Sequence, residues 1–141
     1  MKKFGIRTLA TILVVIMAFA LLSAAFAATR DDVISPAYLY TQRIKASLSI
    51  SSGKAVCSGY IRANDSESSI SITVTLYKKS GTSWNKVTSW NASKKTQSMQ
   101  VEKTKQVSQG TYKVVVTGSV TTVEGKKENV KATSVEVTYS K

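Results

Sequence analysis

The sequence predicts an all-β protein, a single antiparallel β-sandwich of about seven strands that follows an N-terminal signal peptide helix. Apolar and polar residues alternate with period two from residue 43 onward, as in half-buried strands. Turn-forming residues recur every ~8–12 residues, a spacing typical of sandwiches. Val, Thr and Ser are frequent, and no helical period follows residue 27. A β-barrel stays open as the alternative, because a strand count does not separate the two architectures.

Residues 1–27 have the organisation of a secretory signal peptide. A basic start precedes an uncharged apolar run at 9–22, and the small-residue motif at 25–27 is typical of a cleavage site. We therefore expect cleavage before Ala28 and a secreted, extracellular protein with no stable membrane anchor. The alternative is an uncleaved anchor, since the charge-free stretch approaches the roughly 20 residues that span a bilayer. The basic residues of the start are Lys2, Lys3 and Arg7.

The rest of the chain is long enough for one domain with one core. Residues 28–42 contain the only proline, Pro36, and show no period. We expect them to be a flexible lead-in, with Tyr38, Leu39 and Tyr40 docking on the domain. The β-sandwich domain is then predicted to span 43–141.

The first three strands alternate most regularly, and polar turns at 51–54 and 64–66 separate them. Their core-facing residues are predicted to be Ile44, Ala46, Leu48 and Ile50 in the first, Ala55, Cys57, Gly59 and Ile61 in the second, and Ile70, Ile72, Val74 and Leu76 in the third.

The later strands are less regular. The fourth, 84–90, has its large apolar residues three positions apart, which predicts a bulge or a strand with two apolar sides. A loop is predicted at 91–95. The seventh strand changes phase between Ala132 and Val135, which again indicates a bulge. The core-facing residues of the last three strands are predicted to be Met99 and Val101, then Tyr112, Val114, Val116, Gly118 and Val120, then Val130, Ala132, Val135, Val137 and Tyr139.

The segment Gly110-Thr111-Tyr112-Lys113-Val114 resembles the start of the penultimate strand in immunoglobulin-like domains, where a tyrosine hydroxyl is hydrogen-bonded to a nearby loop. Val114 stands where antibody domains have a cysteine, and no tryptophan lies on the third strand. The resemblance is therefore to the immunoglobulin-like sandwich architecture and not to antibody domains.

A second resemblance covers most of the domain. The stretches 46–51, 55–59 and 76–90 are similar to an uncharacterised family of small secreted β-sandwich proteins of Gram-positive bacteria. The resemblance implies export, a sandwich and a single domain. It brings no functional residue with it.

The residue types needed for most catalytic sites are missing or scattered. The chain has no histidine and one cysteine, which excludes Ser-His-Asp and Cys-His catalysis and cysteine zinc sites. The acidic stretch at 64–67 could offer oxygen ligands to calcium, but a solvated turn is the better interpretation of it. No pair of carboxylates indicates a glycosidase. We expect no enzyme, no metal and no cofactor. The single cysteine, Cys57, is predicted to be buried and unpaired.

The charge indicates the kind of partner. The chain carries 20 basic and 8 acidic side chains, and losing residues 1–27 removes three basic ones, which leaves a net charge of +9. Such a surface attracts polyanions, so we expect a cell-wall polyanion or glycan as partner. Nucleic acid is not expected because the protein is exported. The alternative is that the lysines only confer solubility and protect sheet edges.

The third-to-fourth hairpin is the candidate binding site, because it mixes aromatic rings with cations. Its residues are Tyr77, Lys78, Lys79, Trp84, Lys86 and Trp90. The alternative is that the tryptophans cap the core and the lysines protect an edge. Two functions follow as hypotheses. One is a secreted, non-catalytic module that binds anionic or carbohydrate envelope material. The other is a secreted protein-interaction or bacteriocin-like effector domain, with another secreted or surface protein as partner.

Overall fold

The computed structural model describes residues 37–141, which form two antiparallel sheets packed face to face. The predicted signal peptide at 1–27 and most of the predicted lead-in lie outside the described residues. Residues 37–141 contain no helix, and therefore none of a length and apolarity that could cross a membrane. Their eight strands are β1 (Thr41–Ser51), β2 (Lys54–Ala63), β3 (Ser69–Ser80), β4 (Ser83–Lys95), β5 (Ser98–Gln106), β6 (Gly110–Thr121), β7 (Lys127–Thr133) and β8 (Val137–Tyr139).

The strand order is that of an immunoglobulin-like sandwich. One sheet has the order β1-β2-β5, and the other has the order β4-β3-β6-β7, with β8 also paired to β6. In chain order these correspond to the A-B-E strands and the C′-C-F-G strands of immunoglobulin-type domains. The predicted sandwich is confirmed, and the barrel alternative is wrong, because the strands form two separate sheets.

The core lies between the two sheets and consists of the alternating rows that the sequence predicts. The predicted rows of β1, β2, β3 and β6 all face inward, and Ile72, Val74 and Leu76 of β3 are completely buried. Gly59 leaves room where the sheets meet, since a Cβ there would lie 2.7 Å from Val74 Cγ2 and 2.8 Å from Val116 Cγ2. The predicted turn at 51–54 is a two-residue hairpin turn in which Ser52 and Gly53 both have positive φ, as type I′ turns require.

The fourth strand is longer than predicted. β4 pairs with the whole of β3, so the loop predicted at 91–95 is wrong. The predicted bulge is confirmed: Leu76 pairs with Thr88 and Tyr77 pairs with Lys86, which leaves Val87 without a partner in the ladder. Only Trp90 and Ala92 of this edge strand pack against the core. Apart from Ala92, the segment 91–95 is polar and is held by hydrogen bonds to β3, which a hydrophobic pattern does not reveal.

The predicted seventh strand is interrupted and forms both β7 and β8. Ser134 lies between them, and its hydroxyl accepts a hydrogen bond of 2.8 Å from the Val114 backbone N–H. The phase change is therefore a break in the strand and not a bulge within it. Val135, predicted to face the core, is 63% exposed and is a further error of the prediction.

The chain before β1 is held to the domain by Glu128 of β7. The Glu128 carboxylate accepts hydrogen bonds from the Leu39 N–H at 2.6 Å, the Tyr40 N–H at 3.0 Å and the hydroxyl of Thr41 at 2.8 Å. Tyr38 and Tyr40 pack against the core as expected, whereas the Leu39 side chain is 77% exposed.

The open edge at β5 carries cations on its inner side. Cys57 pairs with Lys103 and Ala55 pairs with Lys105, so both lysines lie on the core-facing side of the strand. Both are nevertheless exposed.

Candidate functional site

Four of the six predicted site residues lie together on the outer face of the five-stranded sheet. Tyr77 pairs with Lys86, and Lys79 pairs with Trp84, across β3 and β4. Directly paired residues share one face of a sheet. These side chains are on the face opposite the buried row of β3, because they alternate with Leu76 and Val74 along that strand.

The other two predicted residues lie elsewhere. Trp90 pairs with Val74 and packs against the core, as the alternative interpretation of the tryptophans proposed. Lys78 continues the inward row of β3 beyond the end of the core. Its Nζ donates a hydrogen bond of 2.8 Å to Ser108 Oγ and lies 5.6 Å from the centre of the Tyr112 ring.

The bulge at Val87 explains why the two tryptophans separate. Trp84 and Trp90 are six residues apart, so a regular strand would place them on the same face. One extra residue between them reverses the alternation and sends Trp90 inward and Trp84 outward.

A residue from a distant strand completes the site. Lys113 of β6 pairs with Tyr77, and its Nζ lies 4.2 Å from the centre of the Trp84 ring. Lys79 Nζ lies 5.7 Å from the same ring. The sequence prediction missed Lys113 because it is 29 positions from Trp84. The one sequence feature that pointed to Lys113 was its outward position in the predicted sixth strand. We call Tyr77, Lys79, Trp84, Lys86 and Lys113 the Trp84 surface.

The Trp84 surface carries more positive than negative charge. Glu136 Oε2 lies 3.9 Å from Lys79 Nζ, and this exposed pair is weak by the usual standard of surface ion pairs. Within residues 37–141, no carboxylate lies within ion-pair distance of Lys86 or Lys113. Two of the three cations are therefore free to meet an anion from solution.

The same outer face continues from the Trp84 surface as a grid of small polar side chains. Thr73 pairs with Asn91 on one side and Thr117 on the other, and Ser71 pairs with Ser93 and Ser119 in the next row. A shallow depression of about 430 Å³ lies over this region. Its lining residues are Tyr38, Ser71, Thr117, Gly118, Ser119, Asn129, Val130 and Lys131. Such a surface offers hydroxyl and amide groups to a hydroxylated ligand.

Two further features of the described part of the chain concern metal binding and the single cysteine. Residues 37–141 contain no cluster of three or more His, Cys, Asp or Glu side chains that could hold a metal ion. Cys57 is buried between the sheets and free, as predicted. Burial raises the pKa of its thiol from 9.0 to about 11, so the thiol stays protonated at neutral pH.

The comparison with known proteins adds no functional assignment to this geometry. No protein-family model matches the chain, and the search of curated proteins finds no significant similarity.

Proposed function

We propose that the protein is a secreted, non-catalytic module that binds an anionic polymer of the cell envelope through the Trp84 surface. The observation that carries this proposal is the convergence of Lys79 and Lys113 on one indole ring, at 5.7 and 4.2 Å. The export signal predicted at 1–27 supplies the extracellular location.

The Trp84 ring holds the ammonium groups of Lys79 and Lys113 close together, where an anion would meet both. A cation over an exposed aromatic ring gains about 0.5–1 kcal/mol, which offsets part of the repulsion between neighbouring lysines. Because Lys113 covers the ring, Trp84 acts here through its lysines and less as an open platform for stacking a sugar. The polar grid beyond it supplies hydrogen bonds to hydroxyl groups of a chain-like ligand. An anionic, hydroxyl-bearing polymer fits both parts of this face.

Adsorption to purified anionic cell-wall polymer tests the proposal. Replacing Lys79, Lys86 and Lys113 together with glutamine should lower the affinity by about tenfold or more at low salt, since each exposed pair contributes up to about 1 kcal/mol. A triple glutamine variant of Lys105, Lys126 and Lys127 removes the same charge from outside the Trp84 surface and the polar grid, and should lose less. Binding of the unmodified protein should weaken as salt rises, because exposed charges are screened.

A second variant separates a defined site from diffuse attraction. Trp84→Leu keeps every lysine but removes the ring, and the expected loss of affinity is about two- to fivefold. Equal losses from the two lysine triplets, with no effect of Trp84→Leu, would show attraction by net charge alone. Absence of adsorption at low salt would exclude the proposed function.

A further inference from the structure

The outer face of the three-stranded sheet carries a second cationic groove, on the side of the sandwich opposite the Trp84 surface. Two depressions of about 320 and 370 Å³ meet there, and Arg43 and Tyr60 line both of them. We call the combined feature the Arg43–Arg62 groove. Its lining residues are Gln42, Arg43, Lys45, Ser47, Ser58, Tyr60, Arg62 and Gln100.

Two arginines stand directly opposite each other in this groove. Arg43 of β1 pairs with Arg62 of β2, next to a register irregularity between Thr41 and Arg43. Directly opposed residues of antiparallel strands have Cα atoms about 4.5–5.5 Å apart, and like charges in such pairs are destabilising. Bulges of this kind often re-aim a side chain at a functional position.

Nothing in the described part of the chain neutralises this pair. Among residues 37–141, no carboxylate lies within ion-pair distance of Arg43, Arg62 or Lys45. The register places the acidic residue of this face, Glu102, opposite Ser58, two rows away from Arg62. An anion from solution would therefore relieve a repulsion that no carboxylate within residues 37–141 offsets.

The rows beside the arginines determine what the anion is attached to. Lys45, Tyr60 and Gln100 form the next row across the three strands, and Ser47 and Ser58 pair in the row after it. Rows are about 6.8 Å apart, twice the rise per residue of a strand. Beyond the charged row, the groove therefore offers a phenol, an amide and hydroxyl groups, which are partners for hydroxyl groups of a ligand.

The donors in the charged row favour phosphate over carboxylate. Each guanidinium presents a fork of N–H donors that matches phosphate or carboxylate oxygens. Two such forks, together with the Lys45 ammonium of the next row, offer more N–H donors than the roughly four lone-pair sites of a carboxylate can accept, whereas a phosphate monoester offers three terminal oxygens. We propose that the Arg43–Arg62 groove is a second binding site, which takes a phosphate group carried on a hydroxylated chain. This site does not depend on the Trp84 surface.

An NMR titration of the purified protein with glycerol 1-phosphate, at constant ionic strength, tests this site. The arginine side-chain Nε–H signals of Arg43 and Arg62 and the backbone amides of Tyr60 and Gln100 should shift and saturate together. Inorganic phosphate should bind more weakly and glycerol should cause no saturating shift. Equal affinity for inorganic phosphate would overturn the assignment of a hydroxylated chain, and tighter binding of acetate would overturn the assignment of phosphate.

Variants locate the site. Arg62→Gln should weaken glycerol 1-phosphate binding about tenfold, because a charge-assisted hydrogen-bond pair is lost, and Arg62→Lys should recover part of the loss. Lys54→Gln is the matched control: it removes one charge from the same face of the same strand, outside the groove, and should leave binding unchanged. Arg62→Gln should not lower the melting temperature, since it relieves a repulsion. Equal effects of Arg62→Gln and Lys54→Gln would exclude the site.

The same titration also shows whether the Arg43–Arg62 groove binds independently of the Trp84 surface. The glutamine variant of Lys79, Lys86 and Lys113 should bind glycerol 1-phosphate at the Arg43–Arg62 groove as the unmodified protein does. Loss of these shifts in that variant would show that the groove is not an independent site.

Discussion

Tyr112 connects the core to the loop before β6. Its ring is buried, and its hydroxyl donates a hydrogen bond of 2.8 Å to the carbonyl oxygen of Ser108, four residues earlier. This is the interaction that the resemblance of segment 110–114 to immunoglobulin-like domains implied. The loop that it holds also contains the hydroxyl bonded by Lys78, so one side chain positions both the turn and its surface contact.

We predict that Tyr112→Phe lowers the free energy of unfolding by about 1–2 kcal/mol, because the Ser108 carbonyl loses its partner while the ring still fills the core. Urea denaturation measures the change. Tyr77→Phe is the control, since Tyr77 lies on the outer face of the same pair of strands and its hydroxyl contributes nothing to the core. Equal losses in the two variants would contradict the role given to the Tyr112 hydroxyl.

The buried thiol of Cys57 predicts a specific dependence of stability on pH. Its pKa is raised from 9.0 to about 11 in the folded protein. Below pH 9 the thiol is protonated in both states and contributes nothing. Between pH 9 and 11 the unfolded chain loses this proton and the native protein keeps it, so stability falls with rising pH, by about 3 kcal/mol in all.

Unfolding free energies measured from pH 8 to 11 test this loss against Cys57→Ala, which retains the lysines and tyrosines that also titrate there. The unmodified protein should lose stability more steeply than the variant. Parallel curves would show that burial does not hold the Cys57 proton in the folded state.

At the scale of strands, the sequence predicted best where one face is buried along the whole element. The rows of β1, β2, β3 and β6 alternate strictly because each inward position meets the opposite sheet. The edge strand β4 was predicted too short, since its end at 91–95 contacts the core only through Ala92 and is held by main-chain pairing. The break between β7 and β8 was detected as a phase change, but its form depends on the hydrogen bonds of Ser134.

The candidate site, too, could be predicted only where its residues are close in sequence. Tyr77, Lys79, Trp84 and Lys86 are close in sequence and meet through one hairpin. Trp90 was misplaced because a one-residue bulge reverses every later side chain of a strand. Lys113 could not be found by local pattern, because its position depends on the pairing of β3 with β6.

We predict that Leu76→Ala in β3 lowers the free energy of unfolding by about 2–5 kcal/mol, since the side chain is completely buried and a cavity would remain. Its control is Ser71→Ala, an exposed position on the outer face of the same strand, with an expected change within about 0.5 kcal/mol. Chemical denaturation measures both. An unchanged midpoint for Leu76→Ala would mean that the inner row of β3 faces solvent.

For the molecule as a whole, composition predicted the amount of charge but not its distribution. Most of the cations within residues 37–141 lie in three places: the Trp84 surface on one sheet, the Arg43–Arg62 groove on the other, and the edge strands. The first two lie on opposite outer faces, with the buried core between them. This distribution follows from non-local strand pairing and was therefore beyond reach of a single sequence.

The inward lysines of β5 have a consequence for self-association. A strand from a second copy that extended the sheet at β5 would place its own inward side chains beside the ammonium groups of Lys103 and Lys105, and inward-pointing charges disfavour such pairing. The free N–H and C=O groups of this edge are thus a poor template for further β-growth. At high local concentration, copies of this domain would therefore not join into a continuous sheet through β5.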